Sequence, residues 1–314
     1  MSQTPLISIV MPSFQQAAYL EQALRSVLEQ DCPEMEVLVV DGGSTDGSVE
    51  IIRRYADRLD WWVSEKDRGQ AEGINKGLAR ARGKYVAWLN SDDLYLPGAV
   101  STAVAALEAY PECGMLFGDV LAIDATGQTT NVMRYGPWSL EELMRFFIIG
   151  QPGVFLRRDA LLRAGLLDES YHLLLDHHLW LRVAQQAPMR YLAQPLAAAR
   201  FHPQAKNVAR AAAFGQEAYR IVDWMQAQPQ LAAPFARNRR KIWAGAHRMN
   251  ARYLLDGGQP GPALRAYLRC LAAHPPTALG EAHRMAFAAA SLLVNVDRLR
   301  DWYLRRRRAK ISHG

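Results

Sequence analysis

The chain is poor in cysteine, and the few it has are not arranged in pairs. Cys32, Cys113 and Cys270 are the only three in 314 residues. Their odd number, wide scatter and lack of any CxxC pair exclude a disulfide framework and a structural zinc site, and they fit a reducing compartment. The first residues run straight into an apolar segment without a charged stretch before it, so no secretory signal peptide is expected. Long hydrophobic runs are missing too. The best candidate, Met285 to Val296, covers about a dozen residues where a bilayer span needs about 20. Low-complexity tracts and internal repeats are absent. There is no GxxxxGK loop and no GxGxxG after the first apolar run, which excludes the two commonest phosphate cradles. Ser13-Phe14-Gln15-Gln16-Ala17 contains no Lys or Arg, so a basic triphosphate-binding loop is lacking as well.

What is present is an alternation of apolar runs and helical patterns. Leu6 to Val10, Val37 to Val40, Trp61 to Val63 and Tyr85 to Leu89 read as strands. Leu20, Ala23, Leu24, Val27 and Leu28 recur at helical spacing, as do Val49, Ile51, Ile52 and Tyr55, and then Ile74 and Leu78. Polar, glycine-containing loops follow the strands. This order predicts an α/β fold with a mostly parallel sheet and ligands at its carboxyl edge. With 50% apolar residues, the chain has enough for a large core and a second domain.

The sharpest local signal is Asn90-Ser91-Asp92-Asp93, directly after the fourth strand. Two adjacent carboxylates at a strand end are poorly explained as packing, because each desolvated charge needs a partner. They suit a divalent cation carrying a phosphorylated substrate. Acidic pairs also occur in plain surface turns, so the surrounding pattern has to decide.

That pattern resembles the inverting glycosyltransferases of family 2, which have the GT-A fold. The matching stretches are Ser8 to Phe14, Val40 to Ser48, Asn75-Lys76-Gly77, Ala81 to Tyr85, Leu89 to Gly98, Gln151 to Arg158, Leu167-Asp168-Glu169 and Asp176 to Arg182. They cover about residues 5–208 in the family's order and look closest to bacterial enzymes of O-antigen and other surface polysaccharides. The resemblance implies a Rossmann-like GT-A catalytic domain over 1–208, with a nucleotide-sugar half at about 1–98 and an acceptor half at about 99–208. A basic helical C-terminal extension over 209–314 would follow.

The resemblance also implies roles. Pro12, Ser13, Phe14, Asp41, Gly43, Asp67, Arg68, Asn75, Asn90, Ser91 and Asp92 would contact the donor. Asp92 and Asp93 would hold Mn2+ or Mg2+, with His202 as a further metal contact; an ordinary packed histidine is the other reading of His202. Gln151, Pro152 and Trp180 would lie on the acceptor side. Asp176 matches the family's general base. It also stands where a helix cap would stand before His177-His178, and the two roles are compatible. His177 and His178 point about 100° apart on a helix, so they would flank one site and not share it. Two departures count. Gly42 stands where many relatives have an Asp that reads uracil, which throws that work onto Asp41 or the Asp67-Arg68 loop. Asn90 replaces a frequent Asp and keeps an oxygen acceptor. A UDP-sugar is the first candidate donor, with a glycan or lipid-linked acceptor. The alternatives are another nucleotide-using transferase, such as a nucleotidyltransferase, and a catalytically silent nucleotide-sugar-binding scaffold.

Charge is unevenly placed. Residues 210–314 carry 18 Lys and Arg against 6 Asp and Glu, whereas the rest carries 19 against 25. The apolar stretch from Met285 leads through Trp302-Tyr303-Leu304 into Arg305 to Arg308 and Lys310. An apolar helix with an aromatic boundary and a cationic cluster predicts attachment to an anionic membrane surface, here the cytoplasmic face of the inner membrane. A helical cap with a solvated basic end is the plainer reading. Nucleic acid is not expected as a partner, since the aromatics form no RNA-binding motif.

Overall fold

A computed structural model describes residues 4–292. The first apolar run becomes β1 (Ile7–Ser13), every residue of which is buried. Helix α1 (Ala17–Leu28) buries Leu20, Ala23, Leu24 and Val27, one apolar stripe at helical period. Then come β2 (Met35–Asp41), α2 (Ser48–Arg54), β3 (Trp61–Ser64), α3 (Gln70–Arg80) and β4 (Tyr85–Trp88). These four strands pair in parallel, with Ser13 opposite Asp41, Asp41 opposite Ser64 and Val10 opposite Trp88. The loops after all four therefore leave at one edge. Helix α3 lies tight on β1: a Cβ on Gly77 would come within 2.3 Å of Val10 Cγ1, so only glycine permits this approach.

After β4 the sheet becomes mixed. Strand β5 (Leu94–Tyr95) leads into α4 (Ala99–Ala109), followed by β6 (Met115–Asp124), β7 (Thr129–Met133), α5 (Leu140–Met144), β8 (Val154–Arg157), α6 (Arg158–Ala164), α7 (Leu175–Val183) and β9 (Met189–Phe201). The strand order is β3-β2-β1-β4-β8-β6-β9-β5, with β7 on β6. Strand β8 runs antiparallel to both β4 and β6. The mostly parallel sheet expected from the sequence is thus parallel in its first four strands only. The hairpin between β6 and β7 is too short for a parallel crossover, which needs a dozen or more residues. One core of Ile9, Met11, Leu24, Val39, Ile52, Ala87, Val100, Leu107 and Phe155 lies against the sheet, and burying each large side chain contributes about 1.5–3 kcal/mol.

By contact the chain divides into two units, one of residues 1–140 with 149–200 and one of 141–148 with 201–314. The sequence places the boundary at 208/209 and gives no sign that 141–148 joins the second unit. That unit is helical: α8 (Lys206–Ala209), α9 (Phe214–Ala227), α10 (Ala232–Asp256), α11 (Pro260–Ala273), α12 (Pro275–Leu279) and α13 (Ala282–Ala290). Its breaks fall at Gly257 to Gln259 and at His274, as the glycines and prolines there predict. Phe214 stacks on Tyr253 with centroids 4.1 Å apart, and Arg252 Nε donates to the buried Glu281 carboxylate at 2.9 Å. Segment 141–148 is held by Arg248, whose guanidinium donates to the Phe146 carbonyl at 2.9 Å. Among the described residues no helix is long and apolar enough to cross a membrane. The arginine cluster at 305–308 and the aromatic boundary at 302–304 lie outside the described residues.

Candidate active site

The edge where β1 to β4 end carries most of the donor-side residues named from the sequence. The loop after β1 is stapled to the loop after β2. Gln15, at a positive φ of 54°, donates its N–H to Ser44 Oγ at 2.8 Å and its amide to Thr45 Oγ1 at 3.1 Å. Ala17 N–H donates to Asp46 Oδ2 at 2.9 Å. Phe14 sits on this pinned backbone with 58% of its surface exposed. Pro12 and Ser13 end β1 beneath it.

Asp41 is engaged by its own loop and by the next strand. Its Oδ2 accepts from the N–H groups of Gly43 and Ser44 at 3.0 and 2.8 Å and from Ser64 Oγ at 2.7 Å. Its Oδ1 accepts from Ser44 Oγ at 2.6 Å. The carboxylate is fully buried and holds the glycine loop in shape. Asn75 is likewise spent on structure: its amide exchanges hydrogen bonds with the backbone of Leu167 at 2.9 and 3.0 Å. Arg68 donates to Glu72 at 2.8 Å and to Glu169 at 2.7 Å, joining the loop after β3 to the segment before α7.

The acidic pair lies in the turn between β4 and β5. Asp92 is half-buried and Asp93 is buried. Asp93 Oδ1 accepts the Arg200 N–H at 2.9 Å, and Oδ2 accepts from Asn90 Nδ2 at 3.2 Å. Burial, and then the charge of Asp92, pushes the Asp93 carboxyl well above its ordinary range. Asn90 is the hub of this turn, accepting from Gln70 at 2.8 Å and donating to Gln151 Oε1 at 3.1 Å. Ser91 is buried within it.

Arg200 was missed from the sequence. It donates to the Asp92 carbonyl at 2.9 Å and to Gln22 Oε1 at 2.7 Å, and its guanidinium lies over the Tyr19 ring. The only available signal was a lone arginine in the apolar run Ala197-Ala198-Ala199-Arg200.

Two adjacent carboxylates of which one resists ionising are a fitting place for a divalent cation, which would remove the penalty. Their oxygens are hard donors of the kind Mg2+ and Mn2+ take, and such ions commonly bind through one or two carboxylates plus substrate phosphates. Among the described residues no three His, Cys, Asp or Glu side chains gather into a ready-made cage. His202 belongs to the second unit and has its Nδ1 3.1 Å from Gln204 Oε1.

Asp176 is the second residue of α7, with Leu174 as the cap residue. It is therefore not the N-cap; it accepts the His177 N–H at 2.7 Å from within the first turn. It is half-buried, whereas His177 and His178 are buried, and His178 stacks on Tyr171. Burial, and then the charges of Asp119 and Asp176, push the Tyr135 phenol up. Asp119, also missed, is buried and accepts from the Tyr135 N–H at 3.0 Å and the Tyr191 hydroxyl at 2.8 Å. Gln151 donates to the Trp88 carbonyl at 2.7 Å, and Pro152 is buried beside it. Trp180 is fully buried and stacks on Trp88 at 5.1 Å.

A half-parallel sheet with an acidic pair after its fourth strand defines the GT-A fold of nucleotide-sugar transferases. Residues 8–160 match the model described as Glycosyl transferase family 2, and over that stretch the chain is similar to that family. A relative is the putative teichuronic acid biosynthesis glycosyltransferase TuaG of Bacillus subtilis, 41% identical over 92 residues, covering 28% of this chain and 36% of that one. An uncharacterized glycosyltransferase of Rickettsia felis is 26% identical over 211 residues, 64% of this chain and 35% of its own length. The chain thus spans about a third of these curated relatives. Among solved structures, the Pyrobaculum calidifontis mannosyltransferase PcManGT, in complex with GDP-Man and Mn2+, superposes with a TM-score of 0.63 at 22% identity, covering 98% of this chain and 87% of that one.

Proposed function

We propose that this chain moves a sugar from a nucleotide-diphosphate sugar to an acceptor hydroxyl, with inversion at the anomeric carbon, in the building of a cell-surface polysaccharide. The observation that carries the reading is the Asp92-Asp93 turn: two adjacent carboxylates, one of them pushed up by burial and then by its neighbour's charge, at the same sheet edge as an exposed Phe14 on a pinned loop. Asp92 and Asp93 would hold a divalent cation, which supplies charge neutralisation for a departing diphosphate. Asn90 and Arg200 keep Asp93 in place from opposite sides. Asp176 takes the proton from the attacking hydroxyl. Its position in the first turn of α7 favours the anion through the helix dipole. The match to the family model, and a relative whose name refers to teichuronic acid, support the reading.

The test is calorimetric titration of nucleotide sugars with and without manganese, followed by transfer assays on Asp176→Asn. The variant is expected to keep donor affinity and lose transfer, since a base acts after the donor is bound. Collapse of donor binding in Asp176→Asn would make Asp176 a structural residue and remove the mechanism in that part.

A further inference from the structure

We infer that a cavity at the end of α7, walled by Trp138, holds uncharged sugar units of the acceptor glycan, upstream of the hydroxyl that reacts. This rests on the reading of the chain as a sugar transferase and adds a second place where its substrate is held.

The cavity lies within the first unit and has a volume of about 600 Å3, well inside the roughly 300–1,000 Å3 of small-molecule sites. One wall is the turn Pro137-Trp138-Ser139 between β7 and α5. The other is the segment from Ala184 to Met189 between α7 and β9. Both walls are fixed. The Trp138 ring packs against Tyr135 at 5.3 Å and against Phe117 at 6.4 Å between centroids. Gly114 N–H donates to the Pro188 carbonyl at 2.9 Å, and a Cβ on Gly114 would stand 2.5 Å from the Ala187 Cβ. The second wall is therefore pressed onto the start of β6, an approach that only a glycine allows.

The lining has the chemistry of a sugar site. Among the described residues that line it none is Asp, Glu, Lys or Arg, although these make up 22% of the chain. The two arginines that flank the second wall are engaged elsewhere. Arg182 donates to the carbonyls of Ala164 and Leu166 at 2.8 and 2.7 Å, and Arg190 lies over the Tyr110 ring. A phosphate or a uronate would enter without a counter-charge, which is costly.

What the lining offers is one indole and two amides. Gln185 donates its amide to the Leu181 carbonyl at 2.8 Å. This fixes the side chain and leaves Oε1 as an acceptor with no donor among the described residues. Gln186 is exposed, and its amide both donates and accepts. A pyranose has an apolar C–H face, suited to an indole, and a rim of hydroxyls, suited to amides. A lipid tail would leave these amides unmet.

The cavity is joined to the reaction site yet separate from it. Val183, the last residue of α7, stands about 10 Å along the helix axis from Asp176. Tyr135, which packs on Trp138, accepts the Gly150 N–H at 2.9 Å, and the next residue, Gln151, bonds Asn90 of the acidic turn. A glycan whose growing end lies at Asp176 thus meets Tyr135 and then Trp138 on its way back.

The experiment is saturation-transfer NMR titration of the full chain with maltotriose, mannotriose, chitotriose and trigalacturonate, on wild type, Trp138→Ala, Gln186→Ala and Asp176→Asn. At least one neutral trisaccharide is expected to bind wild type with a Kd on the order of 1 mM, and trigalacturonate at least about tenfold more weakly. Trp138→Ala should abolish binding. Gln186→Ala, whose exposed side chain leaves the fold untouched, should weaken it roughly 3- to 10-fold. Asp176→Asn should bind the trisaccharide like wild type. Absence of binding by every neutral trisaccharide, equal binding of trigalacturonate, an unchanged Kd in Gln186→Ala, or displacement of the sugar by decanol would each overturn the assignment. So would loss of the sugar in Asp176→Asn, which would put it at the reaction site. Wild type that binds the trisaccharide in this way but no nucleotide sugar would remove the transferase reading and leave a saccharide-binding cavity.

Discussion

Asn75 and Leu167, 92 residues apart, bind each other through two reciprocal hydrogen bonds, the amide of one against the peptide groups of the other. The bracket ties α3, on the donor side, to the loop that leads into α7 and Asp176. Replacing Asn75 by Ala leaves a peptide N–H and a carbonyl without partners, which costs about 1–3 kcal/mol. The same change should lower kcat by more than it weakens donor binding. Thermal melts and single-turnover transfer measure the two effects. A pure loss of donor affinity with normal turnover would contradict the bracket's role.

The two carboxylates of the acidic turn should differ in what they cost the fold. Asp92 is half-exposed, so Asp92→Asn is expected to cut turnover strongly and change stability by no more than about 0.5 kcal/mol. Asp93 is buried and accepts from Arg200 and Asn90. An amide there would turn an NH2 toward one of these donors and cost roughly 1–3 kcal/mol. Asp93 is therefore not the fold-neutral edge residue that its place after a strand suggests. Melting curves and manganese titrations of both variants check this, and near-wild-type activity in both at limiting manganese would remove the metal assignment.

The helical unit should lose stability in mild acid through His247. Burial, and then the charge of Arg269, lowers this imidazole from its ordinary 6.5, and its Nδ1 stands 2.8 Å from the Tyr219 hydroxyl. A depressed folded value means that the unfolded chain binds the proton first. The stability it contributes is present above about pH 6.5 and is lost as pH falls through the lower folded value. Denaturant unfolding at a series of pH values should show this step in wild type and a flatter profile in His247→Gln. An identical step in both would assign it to another group.

The basic end of the chain predicts reversible binding to anionic vesicles. Each basic residue near such a surface contributes about 1 kcal/mol, and Arg305 to Arg308 with Lys310 form one cluster. Deleting residues 297–314 should release the protein from vesicles and spare transfer to a soluble acceptor analogue, and added salt should weaken binding of the full chain. Full-length protein that ignores anionic vesicles at low salt would sink the prediction.

The first four strands and their helices could be read from the sequence because the signal is local: short apolar runs, then stripes at helical period. The acidic turn could be read for the same reason. Arg200 and Asn75 could not be assigned their roles, because their partners lie 107 and 92 residues away and pairing at that range leaves no periodic trace. The bonds of Asp41 to its own loop could not be foreseen, since a loop carboxylate looks the same in sequence whether it faces a ligand or its own backbone. Segment 141–148 shows why contact and composition can disagree: it is claimed by a close approach, with Gly245 lying against the Arg145 carbonyl, and no change in residue types marks it.

The stack of Trp88 and Trp180 gives the protein an optical reporter of its own. One indole ends the strand before the acidic turn, and the other stands one helical turn beyond Asp176. At 5.1 Å and 27° their transitions are close enough to couple. Near-ultraviolet circular dichroism should therefore carry a signature of the pair that vanishes in Trp180→Phe. Any rearrangement that parts the acidic turn from the helix of Asp176 would change that band without a label being attached.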